Sequence, residues 1–276
     1  MPDTLSPSLP ASSLRRRTLG ALLGAALTLG LGAVTPAAVQ AAEIRVVTSG
    51  GFSAAYDQLV PLYEQATGNK VTTARGASIG NAPDSIPSRM ARGEQFDVVI
   101  LADSALDKLT EQGKVQAGSR VDLARSMIGM SVRKGTPRPD ISTVDALRQT
   151  LLNAKSIAYS ASASGTYLST ELFQRLGVAE QIKDKAKKIY SERVGAVVLR
   201  GDAEIGFQQV SELLPFTELD FVGPLPDEVQ QRVFFSAGVA TGAQEPEAAR
   251  QLIRFLAAPA AASIVRSTGM EPAAAR

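Results

Sequence analysis

Three stretches rich in Ser and Gly each follow a segment predicted to be a β-strand, and each precedes a helical pattern. They span residues 49–53, 75–81 and 160–166. A helix that begins directly after a strand presents unpaired backbone N–H groups and a partial positive charge, a combination that binds anions. The alternative is that these hydroxyl residues only cap helices. Three such loops in one chain favour a small, donor-rich anion site.

The candidate ligand-binding residues include members of all three loops and a few residues further along the chain. Arg75 and Arg193 carry guanidinium groups, which bind a carboxylate through two hydrogen bonds at once. Gln208 and Gln209 offer amide donors and acceptors, although both could instead hydrogen-bond loop backbone. The full set comprises Ser49, Gly50, Gly51, Arg75, Ser78, Ser160, Ser162, Ser164, Gly165, Thr166, Arg193, Gln208 and Gln209.

The composition excludes several classes of chemistry. The 276 residues include no Cys, no His and no Trp, and the formal net charge is +2. Without Cys there are no disulfides, and without His the usual zinc ligands and the Ser-His-Asp and Cys-His constellations are missing. No basic stripe indicates nucleic acid. We therefore expect no metal and no cofactor, and any acid–base chemistry must come from Glu, Asp, Tyr, Lys or a bound water.

Strand and helix patterns alternate along the chain, which predicts an α/β architecture. The predicted strands span residues 43–48, 70–74, 97–101, 127–133 and 204–207, and later apolar runs span 221–225 and 233–240. In open α/β sheets, ligands bind at the carboxyl ends of strands, where the three loops lie. The lysine-rich segment 183–188 is interpreted as the exposed basic end of a helix.

Residues 1–41 have the pattern of an export signal. Three arginines at positions 15–17 precede an apolar run, and Val39-Gln40-Ala41 is a small-residue cleavage site. Consecutive arginines favour the twin-arginine route, and the run is too short and too rich in Gly and Ala for a membrane anchor. We expect handling by the export machinery, cleavage after Ala41 and a mature protein in the periplasm.

Several motifs resemble those of the molybdate-binding-protein family of periplasmic solute receptors, which have the type 2 substrate-binding fold. Ser49 ends the first strand, the first helix closes in Thr-Gly-Asn-Lys-Val at 67–71, and Gly-Glu-Gln-Phe-Asp-Val at 93–98 leads into a buried strand. A Gly/Ser loop spans 76–80, and 201–206 read Gly-Asp-Ala-Glu-Ile-Gly. The resemblance implies an α/β fold of two lobes, with mixed, mostly parallel sheets and a ligand cleft between the lobes.

The same resemblance implies lobe boundaries and site residues. Lobe 1 would comprise residues 42–125 plus 226–276, and lobe 2 residues 126–225. Ser49 and Ser78 match the two oxyanion-binding serines of the family. Where the family has a Tyr, this chain has Gln209, preceded by Gln208, and residues 81–85 enlarge the second loop. These departures favour a larger ligand with several carboxylates over tetrahedral molybdate.

Two functions from different classes remain open. Ser-Ala-Ser-Gly-Thr-Tyr at 162–167 and Gly-Phe-Gln-Gln-Val-Ser-Glu-Leu at 206–213 resemble a branch of bacterial periplasmic aconitate isomerases, which interconvert trans- and cis-aconitate. This isomerase is the leading interpretation. The alternative is a solute receptor of an ABC importer for a molybdate-like oxyanion or a tricarboxylate, with the permease as its partner. In both cases we expect a small anionic ligand and a monomer.

The isomerase interpretation requires an allylic proton shift. Such a shift needs an acid–base group beside the substrate carbon and donors that stabilise charge on a carboxylate. Tyr167, Tyr190 and Glu192 are the candidate proton carriers, and the sequence does not select among them. Each has an ordinary alternative, because Tyr side chains mostly pack and Glu is favoured near a helix N-terminus without any catalytic role.

Overall fold

The strands of this protein form two open sheets, one of six strands and one of five. The computed structural model describes residues 41–273. The strands are β1 (Glu43–Thr48), β2 (Lys70–Arg75), β3 (Val98–Ala102), β4 (Val121–Ser126), β5 (Ile128–Arg133), β6 (Ile157–Ser160), β7 (Ala186–Ile189), β8 (Ile205–Gln209), β9 (Leu219–Pro224), β10 (Val233–Val239) and β11 (Glu271–Pro272).

Helices connect most of these strands. They are α1 (Gly50–Thr67), α2 (Ile86–Ala91), α3 (Asp103–Glu111), α4 (Val144–Asn153), α5 (Ala163–Tyr167), α6 (Phe173–Arg175), α7 (Ala179–Ile182), α8 (Val194–Arg200), α9 (Val210–Leu213), α10 (Pro246–Leu256) and α11 (Ala262–Ser267). A π-helical turn joins α5 to α6, and short 3-10 turns span Asp227–Val229 and Pro259–Ala261. Helix α1 ends where Gly68 adopts a left-handed conformation and donates to the Glu64 carbonyl, as the Thr-Gly pair predicts.

The first sheet has the order β11-β4-β10-β3-β1-β2. The pairs β1–β2 and β1–β3 are parallel, whereas β10 runs antiparallel to β3 and β4. Apolar side chains cover both faces: Val46 and Ile100 belong to the core under α1 and α10, and Val47 and Leu101 to the core under α3. Burial on both faces explains the continuous apolar run that predicted β3.

The second sheet has the order β7-β6-β8-β5-β9. Here β6 is parallel to both β7 and β8, and β5 is antiparallel to β8 and β9. Ile157 and Tyr159 of β6 face one core, which contains residues of α4 and the π turn, and Ala158 faces another, which contains residues of α8. The two sheets and their helices confirm the predicted α/β fold class with mixed sheets. The expectation that the strands are mostly parallel is wrong, because four of the nine strand pairs within residues 41–273 are parallel and five are antiparallel.

The chain crosses between the sheets twice. It passes from β4 to β5 through Met127, and it returns along the segment between β9 and β10. Gln230 ties the two crossings together, because its amide accepts from the Ile128 N–H at 2.8 Å and donates to the Ile128 carbonyl at 2.9 Å. The lobe boundaries 42–125 plus 226–276 and 126–225 remain a prediction, and the strands of each sheet fall within one of these sets except for Ser126, the last residue of β4.

Two sequence interpretations need correction. The segment 183–188 is not a helix end, because Ala186–Ile189 forms β7 at the edge of the second sheet. Lys187 and Lys188 of this strand are exposed, and lysines on an edge strand oppose pairing with other chains. Strand β4 was not predicted, since its sequence Val-Asp-Leu-Ala-Arg-Ser lacks a continuous apolar run.

The predicted export signal, residues 1–41, lies outside the described residues except for Ala41. Within residues 41–273, no helix has both the length and the apolar character that a bilayer crossing requires.

Candidate functional site

A cavity of about 270 Å³ lies where the loops of the two sheets meet. Its lining includes residues that follow β1 and β2 of the first sheet and residues that follow β6, β7 and β8 of the second. This position at strand carboxyl ends is the usual ligand site of open α/β sheets. The glycine at the start of α1 and the polar and charged side chains of the lining include Gly50, Ser53, Arg75, Asp84, Ser160, Ser162, Tyr190, Glu192, Arg193, Gln208 and Glu212.

The loops of the two sheets contact each other directly. The Ser78 N–H donates to Ser162 Oγ at 3.2 Å, and Ser211 Oγ donates to the Gly51 carbonyl at 2.6 Å. These bonds join the second predicted loop to the third, and the start of α1 to α9. A larger cavity of about 550 Å³ lies beside residues 133–140 and 153–156 and contains none of the predicted ligand-binding residues.

On the first-sheet side, the predicted residues begin with the N-terminus of α1. Ser49 is its N-cap residue and is buried, and its Oγ has no hydrogen-bond partner among residues 41–273. Gly50 and Gly51 lie in the first turn of the helix and not in a loop as expected. Ser53 Oγ, one turn further, accepts from the Arg75 guanidinium at 2.8 Å and donates to the Ser49 carbonyl at 3.0 Å.

The remaining first-sheet residues are engaged with neighbours. Arg75 also binds Asp57 Oδ1 at 2.5 Å, and both side chains are about half exposed. Ser78 is buried, and its Oγ accepts from the Ala102 N–H at 3.0 Å, where α3 begins. Ser78 therefore helps to satisfy a helix terminus, and it is not among the cavity-lining residues.

On the second-sheet side, the Ser-rich segment forms its own hydrogen-bond network. Ser160 Oγ and Ser164 Oγ are 3.0 Å apart, and the Ser162 N–H donates to Ser160 Oγ at 3.4 Å. Ser164, Gly165 and Thr166 lie within α5 and do not line the cavity, whereas Ser160 and Ser162 do. A Cβ on Gly165 would lie 1.6 Å from the Ser160 carbonyl oxygen, so this position requires glycine.

Gln208 and Gln209, at the end of β8, lie in different environments. Gln208 lines the cavity, and its Oε1 accepts from the Val194 N–H at 2.9 Å at the start of α8. Gln209 is buried, and neither its amide nitrogen nor its amide oxygen has a hydrogen-bond partner within residues 41–273. Arg193 precedes α8 and lines the cavity, and it forms no ion pair with any described residue.

The three candidate proton carriers lie in different surroundings. Tyr167 is buried, its hydroxyl donates to the Val229 carbonyl at 2.8 Å, and it does not line the cavity. Glu192 lines the cavity but accepts two hydrogen bonds from Arg200, at 2.7 and 3.0 Å, which lower the pKa of its carboxyl. Tyr190 lines the cavity with 58% of its surface exposed.

Glu212 is a cavity-lining residue that the sequence analysis missed. It lies on α9 and is only 8% exposed, and its Oε1 accepts from Gln208 Nε2 at 2.9 Å. Burial raises the pKa of this carboxyl from 4.5 to about 7, against the opposing effects of the Arg193 charge and the Gln208 hydrogen bond. A carboxyl whose pKa lies near neutrality can both take and give a proton under physiological conditions.

The spacing of Gln208 and Glu212 carried a signal that could have identified this carboxyl. The two side chains are four residues apart at a strand-to-helix junction, and in the folded chain Gln208 Nε2 donates to Glu212 Oε1. A Glu within the otherwise uncharged segment 205–217 is also unusual, because carboxylates are rarely buried without a partner. Within residues 41–273, at the cavity or away from it, no group of three or more carboxylates forms a cluster that could hold a metal ion.

Comparisons with known proteins identify relatives of this chain. The chain is 46% identical over 255 residues to an aconitate isomerase from Pseudomonas sp, covering 90% of this chain and 97% of the relative. It is 27% identical over 248 residues to the molybdate-binding protein ModA of Azotobacter vinelandii, covering 88% of this chain and 96% of that protein. The solved periplasmic molybdate-binding protein of Azotobacter vinelandii matches with a TM-score of 0.67 and 21% identity, covering 82% of this chain and 98% of the other.

A family match extends over nearly all of the described residues. Residues 44–271 match the sequence model of the bacterial extracellular solute-binding proteins. The resemblance to molybdate-binding proteins and to the aconitate isomerase branch is confirmed by these relatives. The chain belongs to the bacterial extracellular solute-binding protein family.

Proposed function

We propose that this protein is a periplasmic isomerase that interconverts trans- and cis-aconitate by an allylic proton shift. The observation that carries the proposal is the 46% identity to an aconitate isomerase over 90% of this chain and 97% of the relative. Identity of this level across both chains supports a shared reaction far better than the fold does, since one fold supports many functions.

The cavity between the sheets supports a ligand with several carboxylates. Arg75 and Arg193 enter it from opposite sheets, and a guanidinium pairs with a carboxylate through two parallel hydrogen bonds. The backbone N–H groups at the start of α1 add donors at the positive end of an 18-residue helix. The amide of Gln209, at the position where the resemblance implies a Tyr in the molybdate receptors, is buried and without a hydrogen-bond partner within residues 41–273, but it does not line the cavity.

The same residues support catalysis as well as binding. Removing a proton from the substrate methylene places negative charge on an adjacent carboxylate, and donors aimed at that carboxylate stabilise the charge as it develops. The proton itself needs a group that is neither strongly acidic nor strongly basic at neutral pH. We expect a monomer in two lobes, with the boundaries given above, in which the crossings tied by Gln230 act as the hinge.

A solute receptor of an ABC importer is the second candidate. The family of the chain and its 27% identity to a molybdate-binding protein favour it. In that case the cavity would bind a molybdate-like oxyanion or a tricarboxylate and deliver it to a permease.

One experiment separates the two candidates. The purified mature protein is incubated with trans-aconitate, and the appearance of cis-aconitate is followed by proton NMR. Thermal stabilisation by molybdate, citrate and tricarballylate is measured in parallel. We expect catalytic conversion that is lost when the protein is heat-denatured. Stabilisation by one anion without any conversion would instead identify a receptor and its cargo.

A further inference from the structure

We propose that Glu212 is the catalytic acid–base group of this protein and that its single carboxyl carries the proton from one substrate carbon to the other. The inference rests on the proposed isomerase function and assigns a residue to its central step. It replaces the three carriers considered from the sequence with a group that the fold places in the cavity.

The hydrogen bonds around Glu212 determine which of its oxygens handles the proton. Gln208 Oε1 accepts from the Val194 N–H, so the other end of this amide, Nε2, must be the donor to Glu212 Oε1. A carboxyl oxygen that accepts this bond in both protonation states is not the one that carries the proton. Oε2, which has no hydrogen-bond partner among residues 41–273, is therefore the reacting oxygen.

Close packing holds the carboxyl in place from the opposite side. A Cβ on Gly50 would lie 2.0 Å from Glu212 Oε1, so the first turn of α1 approaches the carboxyl as closely as only glycine allows. Glu212 is thus held between a helix of the first sheet and a strand of the second. Such a fixed position is what efficient proton transfer requires.

Two of the other titratable groups at the cavity, Glu192 and Tyr190, are less suited to this role. Glu192 is held by Arg200, which favours its charged form. Tyr190 is mostly exposed, and an exposed group exchanges its proton with water. Glu212 is buried, and its pKa of about 7 gives both protonation states near neutral pH. It can therefore act as base in one half of the reaction and as acid in the other.

The reaction balances with this one group. Glu212 Oε2, as carboxylate, takes a proton from the methylene of trans-aconitate, and the electron pair of that C–H bond forms a new double bond to the central carbon. The electrons of the former double bond move to the former vinylic carbon, with charge shared by its carboxylate. The protonated Glu212 then returns the proton to that carbon. No oxidant, reductant or co-reactant is consumed.

The test compares Glu212→Gln with Glu218→Gln, the same substitution on an exposed side chain of the same region. Glutamine has the shape of glutamate and can still accept from Gln208, so binding should survive while proton transfer is lost. We expect kcat to fall about 1000-fold, within the usual range for losing a general acid–base group, with thermal stabilisation by trans-aconitate retained. The Glu218→Gln variant should keep the activity of the unmodified protein.

The outcomes separate this inference from the function on which it rests. An unmodified protein without isomerase activity would overturn the proposed function. An active unmodified protein and a Glu212→Gln variant within tenfold of it would overturn only the role of Glu212. If Glu212→Gln does not fold, Glu212→Asp decides, because shortening the side chain by one methylene should cost about 100-fold in kcat. Activity of Glu212→Asp within tenfold of the unmodified protein would then refute the role.

Discussion

The polar groups at and near the cavity differ between the first-sheet side and the second-sheet side in the contacts that they make. On the first-sheet side, Arg75 binds Ser53 and Asp57, and Ser78 accepts from the start of α3. On the second-sheet side, Arg193 has no ion pair with a described residue, and Glu212 is a buried carboxyl held by one hydrogen bond. The first side thus resembles a rigid anion-binding surface, and the second contains the groups whose charge can change. A receptor needs only the first kind of surface, whereas an isomerase needs both.

The largest expected effect concerns the unfolding free energy, because burial of the charged Glu212 carboxylate is costly. The folded chain holds the Glu212 proton up to about pH 7, and 4.5 is the ordinary value for an unfolded chain. Folded protein therefore binds more protons between these values, and its stability falls as pH rises from 4.5 to about 7. We expect Glu212→Gln, which is neutral at every pH, to exceed the unmodified protein in unfolding free energy by about 3 kcal/mol above pH 7.

Chemical denaturation at several pH values measures this difference. The stability advantage of Glu212→Gln should shrink to nothing near pH 4.5, where the native carboxyl is also neutral. An equal advantage at all pH values would mean that packing, and not the charge, distinguishes the two side chains.

The next largest effect is expected from a substitution that disrupts the contact between Gly50 and Glu212. In Gly50→Ala, the added Cβ would overlap Glu212 Oε1, so the carboxyl must move away from Gln208. A displacement of about 1 Å at a reacting group can lower the rate about 100-fold, and we expect a loss of that size in kcat. Thermal unfolding should change little, because alanine favours a helix over glycine. Full activity in a stable variant would show that the position of this carboxyl is unimportant.

The pH dependence of the reaction provides the third test. If Glu212 must be deprotonated to start the reaction, kcat/KM should fall about tenfold per pH unit below the pKa of about 7. A profile that is flat between about pH 5 and 8 would exclude this carboxyl as the base. Other charged or titratable groups at the cavity are Arg75, Asp84, Tyr190, Glu192 and Arg193.

Substitution of Arg193 is expected to have a smaller effect, which concerns both KM and the pH dependence of kcat/KM. Its positive charge lowers the pKa of Glu212, and it lines the cavity without another ionic partner among the described residues. We expect Arg193→Gln to raise KM about tenfold, as for a lost charge-assisted contact, and to move the acid limb of kcat/KM to higher pH. A higher KM with an unchanged acid limb of the kcat/KM profile would show that Arg193 contributes to substrate binding only.

The smallest expected effect concerns Ser78, on the first-sheet side. Ser78→Ala removes the acceptor of the Ala102 N–H at the start of α3, and the loss of such a hydrogen bond costs about 1 kcal/mol of stability. Urea unfolding measures this loss, and the affinity for anions should fall as well, because the loop that contacts Ser162 is loosened. Unchanged stability together with unchanged anion affinity would show that Ser78 neither stabilises the start of α3 nor supports anion binding.

The parts of the fold that follow from short-range patterns were predictable. Apolar runs predicted β1 and β3, and the Thr67-Gly68 pair predicted the end of α1, because strand burial and helix capping are local properties. Strand β7 was misassigned, since an edge strand with two exposed lysines pairs on one side only and lacks an apolar pattern. Its partner β6 determines its conformation, and that partner is distant in sequence.

The site was predictable in outline but not in its chemistry. Ser160, Ser162, Gln208 and Arg193 all line the cavity, as do Gly50 and Arg75. That these residues bind a ligand stays a prediction. The importance of Glu212 depends on burial against Gly50 of the other sheet, a contact between residues far apart in the chain. The single Glu in the otherwise uncharged segment 205–217 is a local signal, but no local pattern encodes the contact with Gly50, so burial of this Glu does not follow from the sequence.

One measurement tests most directly whether a single buried carboxyl carries the proton. Trans-aconitate deuterated at both methylene positions is converted in ordinary water, and NMR locates deuterium in the cis-aconitate formed. We predict that part of the product contains deuterium on the new methylene carbon, because Glu212 is shielded from solvent while it holds the label. Conversion with complete loss of this label to water would contradict a single buried carrier, and no conversion would contradict the isomerase itself.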